Sequence, residues 1–182
     1  MAILPVLRFP DPRLRTVAQP VASVEATVQM LIDNMFATMY AEKGVGLAAT
    51  QVNVHRRVVV VDCAGEGEDP QPLVFVNPEI ISASDEQETH QEGCLSVPEI
   101  YADVERAKWV TVKALDRDGN EFGKDCEGLL AVCIQHEIDH LNGKLFVDYL
   151  SAAKRNLIRD KMKKYEKRLA KQAKREAAQQ HA

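Results

Sequence analysis

The segment from Gly128 to Gly143 constrains the fold more than any other, because an uninterrupted apolar run, Leu129 to Ile134, leads directly into Gln135-His136-Glu137-Ile138-Asp139-His140. A helix that is apolar nearly all round in its first half belongs inside a protein, so the rest of the chain must wrap around it. On such a helix, residues four apart lie one turn above each other, and His136 and His140 can offer two imidazole nitrogens to one divalent ion. Glu137 stands beside the pair. A carboxylate next to a metal-bound water can take its proton and later pass it to a leaving group, as metal-assisted hydrolysis requires. The competing reading of H-E-x-x-H is a structural ion, or two core histidines satisfied by hydrogen bonds.

Two histidines leave a zinc-like or iron-like site incomplete, so a third protein ligand has to come from elsewhere, with one position left open for water. Cys133 shares the helical face, but the span from 133 to 140 is about 10 Å at about 1.5 Å per residue. Side chains strung over two turns do not converge on one ion whose bonds are only about 2.0–2.3 Å long. Cys133 is better read as core or pocket wall. Cys94, in Gln91-Glu92-Gly93-Cys94-Leu95-Ser96, lies in a segment without helical periodicity, beside a glycine that allows close backbone approach. It can reach in from a separate element. A thiolate suits Fe(II) or Zn(II) and disfavours calcium or magnesium. The competing reading of Cys94 is a small buried hydrophobe, the reading that also covers Cys63 and Cys126 in apparent strands.

The chain has 182 residues, 46% of them apolar, enough for one domain with a real core. No apolar run approaches a membrane span, and Pro5, Arg8, Pro10 and Pro12 interrupt the start, so neither a membrane partner nor a signal peptide is expected. Four irregularly placed cysteines do not make a disulfide scaffold, and reduced thiols in a cytoplasm are the expectation. Charge is divided unevenly. Residues 151–182 hold 11 Lys/Arg and 3 Asp/Glu, net +8, while residues 1–150 carry 12 and 24, net −12. A clustered basic element attracts polyanions whatever the sign of the rest.

Ser23 is placed to cap a first helix with apolar positions Val24, Val28, Leu31, Ile32, Met35, Phe36 and Met39, and Gly44 to stop it. Strands are expected at 58–61, at 73–76 before Asn77-Pro78, and at 109–115, which Asp116 to Asn120 turns into a hairpin with 121–126. Residues 65–72 read as a loop. Ser151 can cap a last helix docked by Leu150, Leu157, Ile158, Met162, Tyr165 and Leu169, with the final ten or so residues projecting or fraying. Without regular β-α-β alternation, the expected class is α+β: mainly antiparallel sheets packed around the metal-bearing helix, with an N-terminal helix and a long C-terminal helix. Residues 1–150 form the catalytic core in this reading, and 151–182 a basic helix and tail docked on it by its first part.

Gly44-Val45-Gly46-Leu47-Ala48-Ala49-Thr50-Gln51 lacks the third glycine of a dinucleotide fingerprint and the Gly-Lys-Ser/Thr of a phosphate loop, which sets nucleotide binding aside. It suits an extended edge that pairs with a peptide, with Gln51 aiming an amide donor at the metal. Taken with Glu92-Gly93-Cys94-Leu95-Ser96 and Gln135 to Gly143, this stretch resembles the three signature motifs of bacterial peptide deformylase, in order and with similar separations. The resemblance covers about residues 3 to 165, and the long final helix is similar to the subtype typical of Gram-negative bacteria.

That resemblance implies a hydrolase that removes the N-formyl group from the starting methionine of nascent peptides and releases formate. It implies Fe(II), replaceable by zinc, nickel or cobalt, on Cys94, His136 and His140, with Glu137 as base and then acid. Gln51 and the backbone N–H of Leu95 would stabilise the oxyanion. Leu129, Val132 and Cys133, faced by Val45 and Gly46 and by Glu92 and Gly93 of the second motif, would receive the substrate. Arg106 matches a family arginine placed to pair with Asp139, whereas Tyr101 stands where some members carry arginine. The basic helix is expected to meet the ribosome, and neither DNA binding nor association beyond a monomer is called for. A zinc metallopeptidase and a non-catalytic, metal-containing ribosome-binding module are the rivals.

Overall fold

The computed structural model describes residues 1–179. Helix α1 is Ala26–Ala41, α2 Gly128–Leu141 and α3 Ala152–Gln179; the strands are β1 Gly46–Ala48, β2 Val58–Val61, β3 Leu73–Ala83, β4 Gln87–Cys94, β5 Val97–Ala107, β6 Trp109–Leu115 and β7 Glu121–Glu127. Five strands form one antiparallel sheet in the order β1-β2-β3-β6-β7, and β4 pairs with β5 as a separate antiparallel hairpin. The class is α+β, as expected.

The run of four valines in β2 is buried throughout because both faces of the sheet are covered there. Val58 and Val60 pack with Val28, Ile32, Met35 and Met39 of α1, while Val59 and Val61 pack with Ile134, Ile138 and Leu141 of α2. A strand covered on both sides reads as a continuous apolar run, not an alternation. Further along, Val110, Val112 and Ala114 of β6 face α2, and the intervening Thr111 and Lys113 face outward. A third cluster joins Leu7, Phe9 and Leu14 to Val97 and Val104 of the hairpin and to Ile158 and Met162 of α3.

Several expectations need correction. The chain does not stop pairing at Asn77-Pro78: β3 continues to Ala83 across a register shift, with Asn77 at φ 51 and its side-chain amide bonded to both backbone groups of Val21. A bulge lets the strand pass a residue that cannot donate to the ladder. Strands β4 and β5 went unseen: Gln87–Cys94 has polar residues on both faces, and in Val97–Ala107 the alternation of Ile100, Ala102 and Val104 with Glu99, Tyr101, Asp103 and Glu105 is short and flanked by Pro98 and Arg106. Ser23 does not cap α1; its hydroxyl bonds Glu25 Oε1 and the helix starts at Ala26. The helix closes one residue before the expected glycine, with Lys43 at φ 56 and with Lys43 and Gly44 N–H groups donating to Tyr40 and Met39 carbonyls. Gly44 packs instead against Leu95: a Cβ there would lie 2.7 Å from Leu95 Cδ1, so that side chain would have to shift. Cys63 lies beyond β2, whereas Cys126 is in β7. Leu157 is exposed, so it does not dock α3. The terminal turns of α3 that were expected to project or fray are helical and exposed as far as Gln179, and the last three residues lie outside the described ones.

Candidate metal centre

Helix α2 turns one face to the sheet through Ala131, Ile134, Ile138 and Leu141, which leaves His136 and His140 on the side toward the β4–β5 hairpin. Gly143 ends it at φ 75, its N–H and that of Lys144 donating to the carbonyls of His140 and Asp139. Only glycine fits there, since a Cβ would come within 2.5 Å of the Arg15 carbonyl oxygen. Cys94 arrives at the tip of the hairpin, where the register shifts between Gly93 and Cys94 and the strand bends. The Cys94 Sγ lies 3.2 Å from His140 Nε2, which lies 3.2 Å from His136 Nε2, and all three donor atoms fall within 4.8 Å of one another. Ligands about 2.1 Å from a tetrahedral ion stand about 3.4 Å apart, so one sulfur and two nitrogens at these separations fit a single zinc- or iron-sized cation. The Cys133 thiol is not part of this group, as the helical span required.

A charged network behind the metal side holds the first histidine. His136 Nδ1 donates to Glu92 Oε1 at 2.8 Å, which presents Nε2 to the centre. Arg106 donates to both Glu92 oxygens, from Nε at 2.7 Å and Nη2 at 2.9 Å, and from Nη1 to Asp139 Oδ2 at 2.6 Å. The Tyr149 hydroxyl donates to that same Asp139 oxygen at 2.7 Å, and its ring lies 4.9 Å under the guanidinium. Burial alone would raise the Glu92 carboxyl, but Arg106 and His136 outweigh it and hold it at about 2. The same carboxylates hold Arg106 above its ordinary value against the effect of burial. The expected pairing of Arg106 with Asp139 is present. Glu92, expected beside the substrate, lines the cleft in front of the centre, with its carboxylate committed to Arg106 and His136.

Glu137 points the other way, toward β1. It is buried, its Oε2 has no hydrogen-bond partner, and burial pushes its carboxyl up to about 7 despite the opposing influence of His136 and Arg106. A Cβ on Gly46 would lie 2.6 Å from Glu137 Oε1, so the glycine is what lets β1 pass so close. Gly46 therefore makes room for the carboxylate beside β1. Gln51 is fully buried in the 3-10 turn Ala49–Val52; its Oε1 accepts from the Ala48 N–H at 2.9 Å, and its Nε2 donates to Ser96 Oγ at 3.1 Å and to Cys94 Sγ at 3.6 Å. Ser96 and Tyr149 were not singled out from sequence. Ser96 stood inside a quoted motif; nothing in the local pattern marks Tyr149.

In front of the centre opens a cleft of about 510 Å³. His136 and Glu137 form its floor, Leu129, Val132 and Cys133 one wall, and Val45, Gly93 and Leu95 the facing side. Tyr101 closes over Gly93, where a Cβ would lie 2.6 Å from the ring. A family model described as polypeptide deformylase matches residues 3–156.

The chain belongs to the peptide deformylase family. It is 58% identical to the peptide deformylase of Pseudomonas aeruginosa over 93% of this chain and 100% of that one. Among solved structures it resembles a peptide deformylase from Legionella pneumophila, at 51% identity and TM-score 0.87, covering 93% of this chain and 98% of that chain. It also resembles one from Ehrlichia chaffeensis in complex with actinonin, at 42% identity and TM-score 0.88, covering 91% and 99%. These relatives are Gram-negative, as the long final helix led one to expect. Membership makes the chain a metal-dependent hydrolase, and Cys94, His136 and His140 form a group of donor atoms that could hold a metal ion. No helix among the described residues is long and apolar enough to cross a membrane.

The metallopeptidase alternative needs a carboxylate or histidine after His140 as third ligand. Asp148 is taken by Arg15 at 2.6 Å and by the Leu145 N–H, while Asp160, Glu166 and Glu176 are exposed on α3. His181 lies outside the described residues.

Proposed function

We infer that this centre carries out the family's reaction, hydrolysis of the N-formyl amide on the initiator methionine of a nascent peptide, through the specific residues gathered around α2. The observation that carries the assignment of roles is the convergence of one thiol and two imidazoles beside a buried carboxylate whose second oxygen has no partner. Cys94, His136 and His140 would hold the cation, with Fe(II) as the native ion and zinc, nickel or cobalt as substitutes that the same soft and borderline donors accept. When bound, it supplies Lewis acidity, which eases ionisation of water and draws charge from the formyl oxygen.

Glu137 takes a proton from water as its oxygen adds to the formyl carbon. It returns that proton to the peptide nitrogen as the C–N bond breaks, leaving formate and a free amino terminus. A carboxyl raised to about 7 is suited to both halves of this exchange near neutral pH. The Gln51 amide, fixed by Ala48 and Ser96, and the Leu95 backbone N–H face the carbonyl oxygen as negative charge gathers there, each donor being worth about 10²–10³ in rate. Leu129, Val132 and Cys133 receive the unbranched thioether of methionine, opposite Val45. Strand β1 pairs with β2 alone, so its outer edge is free to pair with the peptide backbone. Glu92 acts as a positioning residue for His136 in this assignment.

Formate release from formyl-Met-Ala by iron-loaded protein kept anaerobic, against no cleavage of unformylated Met-Ala-Ser, is the direct test. Cleavage of the unformylated peptide, or none of the formylated one, removes the assignment. The exposed lysines and arginines of α3 are assigned to docking on the ribosome of the cytoplasm, with the chain acting as a monomer. Ribosome binding should fall with salt and with truncation after Leu169.

A further inference from the structure

A second groove, of about 380 Å³, runs between the start of β5 and one face of α3. Pro98, Glu99 and Ile100 line both this groove and the cleft in front of the metal site. The wall that ends the cleft thus begins the groove, and a chain leaving the cleft has a lined path onto α3. The apolar side of that path is Ile100 and Tyr165, which pack in one cluster with the buried Met162. The other side is cationic. Lys161, Lys164 and Arg168 border the groove, and the single carboxylate lining it, Glu99, is already engaged through both oxygens by Arg168 at 2.8 Å. Neither Lys161 nor Lys164 has a carboxylate within ion-pair distance among the described residues.

We propose that this groove is an outer binding site for the peptide substrate, taking the segment several residues downstream of the formylated methionine and favouring carboxylate side chains there. The proposal rests on the deformylase assignment of the cleft. An extended peptide advances about 3.3 Å per residue, so a dipeptide held at the metal site stays within the cleft while a longer chain crosses the Pro98–Ile100 ridge. The half-buried Ile100 and Tyr165 offer an apolar surface to the chain, and the two uncommitted ammonium groups select among its side chains. Exposed ion pairs are weak and screened, so the groove alters KM and its salt dependence and leaves the chemical step alone.

The test compares two formyl-Met peptides of about nine residues, identical except that the last three are aspartate in one and lysine in the other, at low and high salt. Two or three exposed pairs of ordinary strength predict a KM about fivefold lower for the aspartate peptide at low salt, with the difference fading at high salt. In Lys161→Glu/Lys164→Glu protein the ratio of kcat/KM for the two peptides should fall to about one or invert, a readout in which any general loss of activity cancels. Fluorescence anisotropy of the same peptides, labelled and unformylated, reads the groove independently of turnover. Equal KM and equal binding for both peptides, or a preference that survives the charge reversal, overturns the groove. That result would leave α3's cations to a polyanion such as ribosomal RNA. Failure to release formate from formyl-Met-Ala would instead strike the deformylase assignment, and the anisotropy measurement would still judge the groove.

Discussion

Charged side chains of the same types gather around α2 and along α3, yet only the first set leaves water. Arg106 and its partner Glu92 have side chains 4% and 3% exposed, whereas Arg168 and its partner Glu99 are 59% and 63% exposed. The buried set is fully used: each Glu92 oxygen accepts from Arg106, one also from His136, and Asp139 closes the far side with Tyr149. On α3 the charges stand apart, several with no partner in the described residues. Burial therefore decides what the same residue types can do. In the first region they fix a histidine to within hydrogen-bond geometry; in the second they leave a field that a mobile polyion can feel.

The sharpest way to break this contrast is Glu137→Ala, which removes the buried carboxylate that faces the cleft. Turnover of formyl-Met-Ala should fall about 10²–10⁴-fold while metal content, measured by elemental analysis, stays at one ion per chain. Near-normal turnover would return Glu137 to a packing role.

Next in size is Arg106→Ala, which strands Glu92 and Asp139 without their cation in a dry site. Urea unfolding should show a loss of about 3–5 kcal/mol, the usual cost of removing one partner from a buried pair, together with weaker metal retention against a chelator. A variant within about 0.5 kcal/mol of the parent would mean that water enters the network freely.

Acid titration sharpens the comparison further. The folded Glu92 carboxyl is depressed to about 2 from an ordinary 4.5, so it contributes stability that is complete above about pH 4.5 and is lost as pH falls toward 2. Metal-free Glu92→Gln should lose that part of the slope in unfolding free energy between these pH values, and an unchanged slope would refute the assignment. At the small end, Arg168→Ala should leave the urea midpoint indistinguishable from the parent, because the pair with Glu99 is held in water. A clear drop would show that the α3 pair is stronger than its exposure implies.

Much of the centre was legible because its rules are local. His136, Glu137 and His140 occupy one helical turn, and the impossibility of Cys133 joining them follows from rise per residue alone. The β2 run and the β6–β7 hairpin were readable for the same reason. The β4–β5 hairpin was not, since β4 is polar on both faces, the alternation in β5 is brief, and the two strands pair with each other, away from the main sheet. The packing of Gly46 against Glu137 was not legible either, because a glycine beside a valine on an edge says nothing about what presses on it from across the fold.

By itself the sequence determined the metal-bearing helix, its two imidazoles and the carboxylate between them, because spacing along a helix converts directly into spacing in space. The fold alone decided that Glu92 and Tyr149 would join Arg106 and Asp139 behind His136, and that the β5 ridge would separate two grooves. Those encounters join residues far apart in the chain, and only the packing of the hairpin and α2 against a shared core brings them within hydrogen-bond reach.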